Sequence, residues 1–142
     1  MTTSKQLFQR FGPPEEENNM CVLIVPDSLG LHHVPRKIYC NLDIREPLLK
    51  AFTEVSALGL QDLIKTYDGC FCIRRKRAGS SPSLHSWGYA IDLNAAWNPY
   101  GHKGTMDLRL VKCFEDAGFE WGGRWAGKCC DFMHFEYKIK EL

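Results

Sequence analysis

Residues 83–94, SLHSWGYAIDLN, place an acid inside a short apolar run. Such a run, preceded by a serine-rich loop, reads as a buried strand. Side chains alternate across a strand, so Ala90 and Asp92 share one face and Tyr89, Ile91 and Leu93 share the other. An acid in that setting needs a partner. His85 stands seven residues earlier and can fold over the Asp92 face. HFEY near the end of the chain repeats the pattern. His134 and Glu136 share a face, while Met133, Phe135 and Tyr137 point the other way. Two strands, each offering polar side chains from an otherwise apolar sheet, can meet in one site. Two imidazoles and one carboxylate form a sound catalytic zinc set, because three protein ligands leave a fourth position for water. Water bound there has its pKa lowered to about 7. On residue types alone, ordinary structural roles for His85, Asp92 and His134 stay open beside this reading.

The totals fit one domain, 1–142, with residues 1–20 as a flexible lead-in. The chain is 44% hydrophobic and 12% aromatic, enough for a packed core. A net charge of +1 gives no global pull toward nucleic acid or membrane. No apolar run approaches the roughly 18 residues of a membrane span, so no membrane insertion is expected. The first residues lack a signal peptide's apolar centre. Synthesis in a reducing cytosol is expected, with release by other means if the target lies outside. Seven cysteines without such a signal argue against a disulfide framework. They read mostly as buried free thiols, with a metal set of Cys70, Cys72, Cys129 and Cys130 as the sharper alternative. CFC and CC are tighter than the usual spacing of paired zinc cysteines.

Along the chain, GPPEEENN at 12–19 reads as loop and CVLIVP at 21–26 as a short strand. His32 and His33 read as surface residues, since neighbours on an extended chain point apart. Residues 46–57 predict a helix with Pro47 in its first turn and Leu48, Phe52 and Val55 on one face. Extended chain follows through CFCIRRKR, and a second helix spans 106–117, capped by Thr105 and closed by Gly118. EWGGRWAGKCC reads as a glycine-broken loop and 132–139 as a terminal strand. Helices and strands do not alternate regularly. The fold class is therefore α+β, a small single domain with helices on an antiparallel sheet.

SLHSWGYAIDLN resembles the S-x-H-x-x-G-x-A-x-D signature of zinc D-alanyl-D-alanine carboxypeptidases and dipeptidases, matching at Ser83, His85, Gly88, Ala90 and Asp92. FEWGGRWAGKCCDFMHFEY is similar to the G-G-x-W…D-x-x-H-F-E ending of the branch that includes phage L-alanyl-D-glutamate peptidases, a class of endolysin. It matches at Gly122, Gly123, Trp125, Asp131, His134, Phe135 and Glu136. The resemblance covers about 44–137 and implies a hedgehog/D-Ala-D-Ala peptidase-like fold.

It also implies that His85, Asp92 and His134 bind Zn2+ and that Asp131 is the catalytic base. Asp131 must then sit in a loop, because a straight strand would turn it away from His134. Glu136 is the rival base. Arg74 matches the family's oxyanion-stabilising arginine, with Arg75 or Arg77 as alternatives if the register shifts. RRKR at 74–77 otherwise reads as a solvated face, a nucleic-acid patch or a substrate contact. Ser83 and Trp125 are candidate substrate-binding residues. Trp87, Trp97 and Trp121 read as core or loop anchors. The implied partner is a peptidoglycan stem peptide, with the L-alanyl-D-glutamate bond as the expected cut and D-alanyl-D-alanine carboxypeptidase as the alternative. A non-catalytic zinc-containing wall-binding or partner-binding module, as in hedgehog signalling domains, is the alternative of another class. The expected protein is a monomer with no nucleic-acid partner, made in the cytoplasm without a signal peptide and acting on the cell wall after holin-type release.

Overall fold

A computed structural model describes residues 1–77 and 79–140. Helix α1 spans Ser4–Phe11, strand β1 Met20–Ile24, β2 Lys37–Asn41 and helix α2 Leu42–Ala57. Strand β3 (Tyr67–Gly69), β4 (Ala90–Leu93), helix α3 (Leu108–Asp116), β5 (Phe119–Trp121) and β6 (His134–Tyr137) follow. β1 and β2 pair as a two-stranded antiparallel sheet. The other four strands form a second antiparallel sheet in the order β3-β4-β6-β5. The architecture is α+β, as expected.

The four-stranded sheet has two chemically distinct faces. In register across it, Ile91, Phe135 and Trp121 are neighbours on the apolar face. Helices α2 and α3 cover that face. Phe114 of α3 meets Phe135 with ring centroids 4.8 Å apart, Phe119 at 5.7 Å and Phe52 of α2 at 5.8 Å. All four rings are fully buried. Removing one such ring costs about 3–5 kcal/mol. On the opposite face Asp92 pairs with His134, and Ala90 pairs with Glu136, which in turn pairs with Glu120. Burying the apolar row thus turns the polar row outward as one set.

Residues 1–20, expected as a flexible lead-in, instead hold α1. Thr3 and Gln6 cap it reciprocally, and its Leu7 and Phe11 enter the core. The sequence signal is Thr3 with Gln6 three residues on, followed by two apolar positions at i and i+4. Helix α2 begins four residues earlier than the expected 46, because the Asn41 side chain caps it by accepting from the Asp43 N–H at 2.9 Å. Pro47 lies inside the helix rather than in its first turn. Asp107, not Thr105, caps α3. Strands β2 and β5 add to the expected elements. β5 is only Phe119–Trp121, too short for alternation to be legible.

Candidate metal centre

His85 lies in a single 3₁₀ turn, Leu84–Trp87. Ser83 caps that turn, its hydroxyl accepting from the His85 N–H at 3.3 Å. Gly88 ends it in the left-handed region, φ +65°. A Cβ at Gly88 would meet Met20 Cε at 2.7 Å and the Asn41 nitrogen at 2.9 Å, so the turn sits directly on the β1–β2 sheet. Helix α1 closes the other side, where the Trp87 indole donates to the Gly12 carbonyl at 2.9 Å. Asp92 comes from β4 and His134 from β6, directly opposite one another.

One ligand atom from each of His85, Asp92 and His134 lies within 4.8 Å of the other two, and all three residues are buried. His85 Nε2 is 3.2 Å from Asp92 Oδ2, and His134 Nδ1 is 3.3 Å from Asp92 Oδ1. His85 Nδ1 lies 2.7 Å from the Cys70 carbonyl oxygen. A carbonyl only accepts, so Nδ1 carries a proton and Nε2 is the ring nitrogen turned toward Asp92. Nε2 thus faces a carboxylate oxygen. Despite their closeness, His85 Nε2 and Asp92 Oδ1 have no aligned hydrogen-bond partner. Converging buried acceptors are what a cation satisfies, so the residues fit a metal ion. Glu136 Oε1 lies 2.9 Å from His134 Nε2, which can donate to it and leave Nδ1 free for the ion.

The charges agree with this picture. Burial works to raise the Asp92 pKa, but the flanking imidazoles outweigh it and hold the carboxylate ionised well below the usual range. Burial likewise works to lower the His134 pKa, yet Asp92 and Glu136 push it up to about 10. A proton on His134 thus supplies positive charge that the two carboxylates attract.

Beside the triad opens a cleft of about 260 Å³, lined among others by Arg74, Ser83, Tyr100, Trp125, Asp131 and His134. Asp131 sits in the loop before β6. Its N–H donates to the Gly122 carbonyl at 2.9 Å, and its carbonyl accepts from His134 N–H at 3.1 Å. A Cβ at Gly122 would overlap the Asp131 backbone, so glycine there is what lets the loop close. Burial raises the Asp131 pKa, opposed mainly by His134, and its buried Oδ1 has no partner. The Arg74 backbone is tied to the His85 turn: its carbonyl accepts from Ser83 N–H and its N–H donates to Ser86 Oγ, at 2.8 and 3.1 Å. Arg77 also lines the cleft, its guanidinium 5.9 Å from the Tyr100 ring centre. Trp125 stands 5.5 Å from the His134 ring and donates to Glu120 at 3.0 Å.

Several residues of the site carry no signal in the sequence. Cys70 acts through its backbone carbonyl, which no side-chain pattern reveals. Tyr100 lies in a stretch without a motif, and Glu120, though within FEWGGRW, is none of the matched positions. The cysteines divide differently than expected: Cys40, Cys70 and Cys113 are buried, Cys72 and Cys129 exposed, and Cys21 and Cys130 in between. Among the described residues, no cysteine joins a group that could hold a metal.

No curated protein and no solved structure matches the chain. Residues 76–137 match the family profile described as D-alanyl-D-alanine carboxypeptidase. The matched stretch contains His85, Asp92, Asp131 and His134, while Arg74 falls just ahead of it. That similarity, together with a buried His–Asp–His group able to hold the metal on which such enzymes depend, marks the chain as a peptidase.

Proposed function

We propose that the protein is a zinc peptidase that cuts peptidoglycan stem peptides, at the bond between L-alanine and D-glutamate. What supports this reading is the meeting of His85, Asp92 and His134 beside a cleft that also holds Asp131 and Arg74. The three would hold zinc, which supplies Lewis-acid polarisation of water and of the scissile carbonyl when bound. Asp131 takes the proton of the attacking water and passes it to the leaving amine. Its raised pKa suits both halves of that transfer. Arg74 balances the negative charge that grows on the carbonyl oxygen. Glu136, bonded to His134, fixes that ring rather than serving as base. Ser83 positions His85 through the turn, and Trp125 forms one wall of the cleft.

The two candidate bonds share local chemistry. In each, the leaving nitrogen belongs to a D-amino acid whose neighbouring carbon carries a free carboxylate. Arg74, Lys76 and Arg77 line the cleft and can receive that carboxylate. Removal of a terminal D-alanine is thus the second reading, and it fits the matched family equally well. The two substrates differ in the side group on the carboxylate-bearing carbon: a continuing chain for D-glutamate, a methyl group for D-alanine. A partner-binding module without turnover is the third outcome. We further read the protein as a monomer released to the wall by a holin-type route. Among the described residues no helix is long and apolar enough to cross a membrane.

Mass spectrometry of purified peptidoglycan, digested with the zinc-loaded protein, decides among these. New N-terminal D-glutamate supports the proposal. Free D-alanine moves the assignment to the carboxypeptidase, and an unchanged substrate defeats both.

A further inference from the structure

The two-stranded sheet carries a second set of reactive side chains, separate from the cleft. Cys21 of β1 and Cys40 of β2 stand directly opposite in register, and their sulfurs lie 4.0 Å apart. Both are free thiols. They share the inner face of the hairpin with Leu23 and Ile38, while Val22, Ile24 and Tyr39 face outward. Directly opposed residues on antiparallel strands have Cα atoms about 4.5–5.5 Å apart, within the span of a disulfide. Side-chain rotation alone can then bring the sulfurs to bonding distance.

We propose that Cys21 and Cys40 form a modification site, closing into a cross-strand disulfide when the protein meets an oxidising small-molecule disulfide. Cys21 is the partly exposed residue of the pair and Cys40 the buried one, so Cys21 reacts first. Its thiolate attacks one sulfur of RSSR and expels the first RS⁻. The Cys40 thiolate then attacks Cys21 Sγ and expels the second. The protein gives up two electrons and two protons, and RSSR becomes two RSH. Burial, with Cys21 alongside, pushes the Cys40 thiol up to about 12. Closure is therefore slow at neutral pH and quickens about tenfold per pH unit.

The staple has a structural consequence. Asn41, next to Cys40, donates its N–H to the Gly88 carbonyl at 3.0 Å and its side-chain amide to the Trp87 carbonyl at 3.2 Å. Locking the hairpin thus locks the brace behind the His85 turn. The thiol pair is independent of the peptidase reading.

The test uses the full chain with Cys72→Ser, Cys129→Ser and Cys130→Ser, which removes the other accessible thiols. Oxidised glutathione is added at pH 8, and the alkylated, unreduced protein is digested and mapped. The expected result is a Cys21–Cys40 linked peptide, an intact-mass loss of about 2 Da and a Tm raised by about 5–10 °C, reversed by dithiothreitol. Adding Cys21→Ser, a change at a partly exposed position, removes both the mass loss and the Tm gain. A glutathione adduct that persists on Cys21, a Cys21 that never reacts, or a bridge through Cys70 or Cys113 overturns the proposal.

Discussion

Asp92 and His134 face each other across adjacent antiparallel strands, with Asp92 Oδ1 3.3 Å from His134 Nδ1. They are far apart in sequence, so only the correct β4–β6 register brings them together. A slip by one residue would send one of them to the apolar face.

This pairing makes metal uptake a test of the site. The wild-type chain is expected to bind one zinc ion. His85→Ala and Asp92→Ala should each weaken binding by at least about 100-fold and abolish peptidase activity. Titration calorimetry on chelator-stripped protein checks this. Unchanged affinity in either variant would remove the assignment.

Asp131→Asn should separate binding from turnover. Zinc stoichiometry stays near that of the wild type, while kcat falls by about 10²- to 10⁴-fold. In the wild type the base must be ionised. Burial places the Asp131 pKa above its ordinary 3.8, so activity at saturating zinc should fall as pH drops through a value higher than that. An Asn variant retaining more than about a tenth of wild-type kcat would show that the base lies elsewhere.

Glu136→Gln distinguishes an orienting carboxylate from a second base. Loss of the charged partner at His134 Nε2 should weaken zinc affinity by about 10- to 100-fold. Saturating zinc should restore most of kcat. If kcat stays low in excess zinc while affinity is normal, Glu136 is the base after all.

The metal-free protein should have its own pH profile. His134 holds a proton with a pKa of about 10 against an ordinary 6.5. A raised folded pKa stabilises fully below 6.5, and that contribution is lost as pH rises toward 10. Chelated protein should therefore lose Tm across that window. Zinc-loaded protein, with His134 already deprotonated, should not. Parallel melting curves for the two forms would contradict this.

Gly88→Ala tests how the turn is seated. The new methyl would press on Met20 and the Asn41 backbone at a left-handed φ. Destabilisation of about 2 kcal/mol or more is expected, along with weaker zinc retention. Chemical denaturation measures the first and a chelator competition the second.

Much of the site is legible in the sequence because strand alternation is a two-residue rule. Asp92 and Ala90 opposite Ile91 and Leu93, and His134 with Glu136 opposite Phe135, fall on the faces that alternation assigns. Asp131 has to be in a loop for the same reason, and it is. What stays hidden depends on tertiary contact. The proton on His85 is positioned by the Cys70 backbone, which any residue could supply. Glu136 stands as the rival to Asp131, which the resembled pattern favours, and its 2.9 Å contact with the His134 ring is visible only in the fold. Helix α1 is masked because GPPEEENN, just behind it, draws the whole segment toward loop. The edge strand β5 is three residues long, below the length at which any period can be read.

The Cys70 carbonyl holds the His85 ring so that Nε2 points inward at a carboxylate that is already ionised. Folding and ion capture are then parts of one equilibrium. Once the free ion exceeds its dissociation constant, each further tenfold rise in its level adds about 1.4 kcal/mol to the stability of the folded chain. Withdrawing the ion with a chelator would take that increment away and lower the stability of the folded chain.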